Sequence, residues 1–125
     1  MTNNTGGQPD ETLIYVCAGA AHCGQATYEA AKQLARDKVG NLLCIASMAA
    51  RRPEKLERAR AARRRIVVDG CDEECCRQIM SDVGLPVEVH VAAKDLGIEK
   101  KPERPDLAAD AAKIVSKVKA LAGGA

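Results

Sequence analysis

The chain is divided into short apolar runs separated by stretches of helical periodicity, and that alternation restricts it to one kind of architecture. Leu13 to Ala18 carries Leu, Ile, Tyr and Val and stops at glycine and small residues, the form of a buried strand. From Gly24 to Val39 the apolar positions Ala26, Ala30, Ala31, Leu34 and Ala35 recur at three and four, one face of a helix, and Gly40-Asn41 supplies its stop. Leu42 to Ala46 is the next apolar run, and Pro53 to Arg64 is a second helical stretch with its proline near the start. Arg65 to Val68 resumes as strand. Asp72 to Val83 is a third helix with acids in its first turn, where they suit the positive end of the helix dipole, and Gly84 ends it. Pro86 to Ala92 sets Val87, Val89 and Val91 against Glu88 and His90, an edge strand with one polar side. Pro102 and Pro105 mark a loop. Leu107, Ala111, Ile114, Val118 and Leu121 then give a closing amphipathic helix.

Strands alternating with helices of this length predict an α/β fold: a mostly parallel, Rossmann-like or flavodoxin-like sheet with right-handed crossovers and helices on both faces. A chain of 125 residues has room for one such three-layer domain, expected over residues 13–122. The polar residues 1–12 are expected to be a disordered tail, and 123–125 a second, short one. In open sheets of this kind, ligands bind beyond the carboxyl ends of the strands, where the strand order reverses.

Six cysteines stand on this scaffold, in a chain whose 46% apolar and 29% charged residues can build a core without covalent staples. The start of the chain lacks the basic and apolar segments of a signal peptide, and its longest apolar run is too short to span a membrane. A soluble cytoplasmic protein is expected, in which cysteines serve as free thiols, metal ligands or redox centres rather than as disulfides. With a net charge of +2, no Trp or Phe, and only Tyr15 and Tyr28 as aromatics, nucleic acid is not an expected partner.

Cys17 falls near the end of the first strand, Cys44 late in the second and Cys71 just past the third, so three thiols reach one edge of the sheet. If Cys71 begins the following helix, Cys75 shares its face four residues on. Cys76 points about 100 degrees from Cys75 on that helix, so the two are poor joint ligands. Cys23 lies close enough to Cys17 to replace a ligand. No C-x-x-C pair occurs, and the competing reading, cysteine as a small buried hydrophobe, fits Cys44 best because Leu42, Leu43 and Ile45 surround it.

The central Asp69-Gly70-Cys71 followed by Cys75, together with Cys17-Ala18-Gly19, Gly24-Gln25 and Cys44-Ile45-Ala46, resembles the DGC-domain family of zinc-binding proteins. Leu96-Gly97-Ile98 before Lys100-Lys101 resembles that family's ending. The resemblance covers residues 13 to 101, implies Cys17, Cys44, Cys71 and Cys75 as the four metal ligands, and brings no reaction with it. Cys23 and Cys76 are additions.

Four thiolates complete the tetrahedron of a closed zinc site, which suggests a structural or sensing role, whereas the edge of the sheet is where ligands are handled. Both are met if one thiolate is displaceable, with Cys23 and His22 as exchange ligands. The alternative is thiol/disulfide redox chemistry, which the acids Asp72, Glu73 and Glu74 oppose by disfavouring a thiolate. A phosphatase-like loop with a nucleophilic cysteine needs an arginine where Cys23 stands. The seven arginines and one lysine between Arg51 and Arg65 are read as a solvated face, with Glu54 and Arg58 at the favourable four-residue spacing. His90 is read as a surface or hydrogen-bonded histidine. Gly19 and Gly24 are read as turn glycines, because the lysine and hydroxyl residue of a phosphate loop are missing.

Overall fold

The computed structural model describes residues 10–101 and 106–123. Four strands, β1 (Thr12–Val16), β2 (Asn41–Leu42), β3 (Arg64–Asp69) and β4 (Val89–Ala92), form one sheet in the order β2-β1-β3-β4. Every pairing is parallel. The helices are α1 (His22–Arg36), α2 (Ile45–Ala49), α3 (Pro53–Ala61), α4 (Cys75–Asp82) and α5 (Leu107–Leu121), with a 3-10 turn at Ala93–Leu96 after β4.

The two-residue period of the strands sorts their side chains into two cores. Ile14, Val16, Ile66, Val68, Val89 and Val91 pack against α1 and α5, through Ala26, Ala30, Leu34, Ala111, Ile114 and Val118. Leu13, Tyr15 and Val67 face the other way, against Met48 of α2, Ala59 of α3 and Cys76 and Met80 of α4. Helices thus cover both faces, which is why the two central strands read as continuous apolar runs. β4 lies at the sheet edge with His90 on its polar side, but it begins only at Val89, and Val87, expected on the face of Val89 and Val91, packs against the opposite core.

Several boundaries differ from those expected. The run Leu42 to Ala46 is not a strand: β2 holds two residues, and Ile45 already begins α2, with Cys44 as its N-cap. Short apolar runs do not distinguish a strand from a helical turn. α1 begins at His22, before Gly24, and ends at Arg36, where Lys38 takes the left-handed conformation ahead of Gly40. Thr12 belongs to β1 and Glu11 is buried, so the fold reaches into the stretch expected as tail, while residues 1–9, the loop prolines Pro102 and Pro105, and residues 124–125 lie outside the described residues.

The arginine-rich stretch is also not simply a solvated face. Arg58 and Arg65 are each 5% exposed. Arg58 pairs with Glu11 across the chain rather than with Glu54 on its own helix, and Glu11 also accepts from Asn41 Nδ2 at 2.7 Å. Arg65 is held by Glu88 at 2.8 Å and by the carbonyls of Ala59, Ala62 and Pro86. Among the described residues, no helix is long and apolar enough to cross a membrane.

Candidate functional site

β1 and β3 are neighbours, and the chain leaves β1 for β2 on one side and reaches β4 from β3 on the other, so the strand order reverses between them. The crevice where an open parallel sheet admits ligands therefore opens beyond Val16 and Asp69. Cys17 and Cys71 sit at its two lips. Cys23 lies in the first turn of α1, behind Cys17, and Cys75 is the first residue of α4, behind Cys71.

Each residue of the Asp69-Gly70-Cys71 triplet has a separate task. Asp69 is fully buried, and its carboxylate accepts from the backbone N–H of Cys76 at 2.8 Å and of Arg77 at 3.2 Å. It therefore caps α4 from the end of β3, satisfying amides that Glu74, at the N-cap with φ 51°, leaves open. His90 Nε2 donates to the same carboxylate at 2.9 Å. Gly70 provides clearance. A Cβ there would lie 3.0 Å from Cys17 Sγ and 3.1 Å from both the Cys23 carbonyl carbon and the Gly24 nitrogen. Cys71 is left half-exposed at the rim.

Gly24 brings α1 equally close to the loop after β1, since a Cβ there would stand 2.5 Å from the Gly19 nitrogen. Its role is therefore backbone approach as well as turning. Ala18 and Glu74 are non-glycine residues in left-handed backbone, φ 50° and 51°, one in each loop bordering the crevice. Strain of this kind collects where a fold holds a site in place.

The expected ligands do not all stand as predicted. Cys71 lies outside α4, in the turn closed by Glu74 N donating to Cys71 O, so Cys71 and Cys75 do not share a helix face. Asp72 and Glu73 likewise precede the helix rather than forming its first turn, and Glu74 pairs with Arg77 at 3.0 Å and Lys94 at 3.2 Å. Cys44 is exposed, one strand further out than Cys17, which removes the buried-hydrophobe reading that its neighbours suggested. That reading belongs to Cys76, which is 1% exposed and packed among Leu13, Tyr15 and Met80, while Cys75 is exposed. His22 is fully buried, with Nε2 held by Asp110 at 2.6 Å, and its Nδ1 has no hydrogen-bond partner among the described residues.

Burial pushes the Cys75 thiol up, and Glu73 and the Cys71 and Cys17 sulfurs add to the effect. Burial raises Cys23 in the same way, followed by Cys71 and Cys17. Cys17 and Cys71 follow the ends of β1 and β3, and Cys23 and Cys75 lie in the first turns of α1 and α4. Among the described residues, no three such groups are drawn close enough to form a ready-made ion cage. The donor set nevertheless suits zinc chemically, being soft sulfur, and Gly70 lets the loop after β3 approach the Cys17 sulfur closely.

The model of one known family, described as the DGC domain, matches residues 13–118. The chain belongs to the DGC-domain family. It is 25% identical over 115 residues to the "Anaerobic and virulence modulator AnvM" of Pseudomonas aeruginosa, an alignment covering 90% of this chain and 88% of that relative. No solved structure gives a significant match. The DGC triplet is thus the helix cap, the clearance and the displayed thiol described above.

Sequence reasoning missed two residues of this site. Asp69 was legible only as part of the Asp69-Gly70-Cys71 triplet, although α4 lacks a capping Ser, Thr or Asn of its own, which points to an acceptor from elsewhere in the fold. Thr27, buried in α1 beside Cys17, gave no signal. The clearance at Gly70 has a measurable consequence. Gly70→Ala is expected to cost about 1–2 kcal/mol of stability through overpacking against Cys17 and the Cys23-Gly24 peptide. Urea denaturation checks this, and an unchanged midpoint would show that the crevice is slack.

Proposed function

We propose that this DGC domain binds zinc at the crevice between β1 and β3, through Cys17, Cys71 and Cys75, with Cys44 as the outermost and most readily displaced fourth ligand. The observation that supports this reading is that Cys17 and Cys71 follow the two strands on either side of the strand-order reversal, the position at which parallel sheets hold ligands, with Cys75 opening the helix behind Cys71. Cys23 and His22 are the substitutes nearest at hand. When bound, zinc would supply a soft Lewis-acid centre that holds thiolates together. The residues of the chain orient it: Asp69 fixes the start of α4 that carries Cys75, and Gly70 lets the loop after β3 approach the Cys17 sulfur.

Metal handling or sensing is favoured over a structural staple. Both cores are complete without an ion, and the exposure of Cys44 and Cys75 gives exchange a route. The relative's name describes a modulator, and a thiolate site that responds to metal is a chemical form such a role can take. Disulfide chemistry is the weaker reading, because the partial desolvation and the Glu73 carboxylate that raise the Cys75 thiol disfavour a free thiolate, whereas a bound cation would offset that penalty.

Metal analysis of untagged protein is expected to find about one zinc per chain, and Cys71→Ser and Cys75→Ser each to lose most of it, since each removes one of four bonds. Full occupancy in both variants would overturn the proposal.

A further inference from the structure

The arginine-rich stretch holds two kinds of arginine. Arg58 and Arg65 are buried against carboxylates, and the fold accounts for them. Arg63 and Arg64, where β3 begins, have no carboxylate partner among the described residues. Arg64 donates to Ala122 O at 3.1 Å, a neutral group that leaves its charge uncompensated, and its Nε is buried with no hydrogen-bond partner among the described residues. Both arginines line a hollow of about 470 Å³ at the amino ends of β1, β2 and β3, together with Asp10, Glu11, Lys38 and Asn41. The cysteines stand beyond the other end of the strands, the length of β1 away, or about 15 Å.

Lys38 is exposed and likewise has no ion pair among the described residues. Of the two carboxylates in the hollow, Glu11 is taken up by Arg58 and Asn41, which leaves Asp10 against three cations. These cations rise from a fixed backbone. Glu11 O accepts from Arg63 N at 2.8 Å and from Arg64 N at 3.3 Å, and Lys38 N donates to Ala35 O at 3.0 Å. Lys38 also holds a left-handed φ of 61°, a conformation that costs a lysine energy and that collects at functional sites. Like charges fixed around one concavity repel one another and focus their field on whatever anion enters. An arginine fork matches the oxygens of a phosphate in pairs, and a lysine adds a point charge. The volume is that of a small-molecule site rather than of a bare ion. Asp10 on the same rim repels a second phosphate and accepts from a hydroxyl.

We propose that this hollow binds a small, hydroxyl-bearing phosphate monoester, with Arg63, Arg64 and Lys38 on the phosphate and Asp10 on a hydroxyl. The site is separate from the cysteine crevice and does not depend on the zinc reading.

Ribose 5-phosphate and inorganic phosphate serve as probes, titrated at constant ionic strength into reduced, metal-free protein while backbone amide resonances are followed. Ribose 5-phosphate is expected to bind saturably, moving the amides of Lys38, Gly40, Arg63 and Arg64 and leaving those of Gly70 and Cys71 in place. Inorganic phosphate is expected to bind about tenfold more weakly, because it lacks the bond to Asp10. Lys38→Gln and Arg63→Gln are each expected to weaken ribose 5-phosphate about tenfold, as suits the loss of one charge-assisted bond. Both side chains are exposed, so these variants fold as the parent does. Arg60→Gln, on α3 and paired with Glu57, removes the same charge outside the hollow and is expected to leave affinity unchanged. Equal weakening in Arg60→Gln would reduce the effect to diffuse charge and defeat the proposal. Resonance shifts centred on Gly70 and Cys71, or inorganic phosphate binding as tightly as the ester, would defeat it as well.

Discussion

Replacing Asp69 with alanine is expected to lower stability by about 3 kcal/mol, through the loss of charge-assisted bonds and the stranding of buried amides. The Cys76 and Arg77 N–H groups and the His90 ring all converge on this carboxylate. Removing it leaves the first turn of α4 without its cap and breaks the His90 side-chain tie that supplements the β3–β4 ladder. The negative charge also sits at the positive end of the α4 dipole, and neutralising it loses that attraction. Asp69→Asn keeps an acceptor for one of the amides and is expected to cost about half as much, in the range of a single capping bond. Urea denaturation separates the two variants. An alanine variant within about 0.5 kcal/mol of wild type, the usual range of an inconsequential surface change, would show that the cap is dispensable. Zinc uptake is expected to fall alongside stability in Asp69→Ala, because Cys75 is the first residue of the helix that loses its anchor.

The second large effect lies at the opposite end of the strands. Removing either member of the Glu11–Arg58 pair strands a buried charge and is expected to cost about 3–5 kcal/mol. Against a typical total of about 5–15 kcal/mol, that is enough to leave Arg58→Ala marginally folded. A double variant, Glu11→Gln with Arg58→Met, is expected to recover part of the loss, since no isolated charge remains. The pair also sets an acid limit. Burial alone would raise the Glu11 carboxyl, but the bonds from Arg58 and Asn41 and the Arg58 charge outweigh it and hold the group below its ordinary value of 4.5. A group depressed in the folded state stabilises the fold above its unfolded value and loses that contribution as pH falls through the folded one. Wild-type stability is therefore expected to decline below about pH 4.5, and the decline to be smaller in the double variant. Denaturation midpoints measured across that window check the sign, and equal slopes in both proteins would refute the assignment.

The two predictions divide along the line between what sequence could and could not reveal. Leu13 to Ala18 and Arg65 to Val68 were legible as strands because they are buried on both faces, and an unbroken apolar run is the signature of that environment. The closing helix was legible from Leu107 to Leu121 because its apolar stripe repeats over several turns. Glu11 and Arg58 were not legible as partners, being 47 residues apart with nothing local to join them. The only local cue, Glu54 four residues before Arg58, pointed to the wrong carboxylate. α2 was hidden inside an apolar run too short to show a period. Topology alone placed Cys17 and Cys71 just beyond the ends of β1 and β3, since a residue just past a strand must stand at its end. The relation of Cys71 to Cys75 failed because it assumed an early helix start, whereas Glu74 turns left-handed and delays α4 until Cys75.

The central pairing of β1 with β3 also bears on the order of events during synthesis. Val16 and Val68 are registered partners, yet a long crossover through β2 and three helices separates them in the chain. Parallel contacts between such distant segments form late, after the cost of closing the intervening loop has been met. A nascent chain therefore displays Cys17, Cys23 and Cys44 well before Cys71 is available to meet them. Under the proposed zinc reading, an ion that requires both lips of the crevice would be captured by the finished sheet and not by the emerging polypeptide, and loading would report that folding is complete.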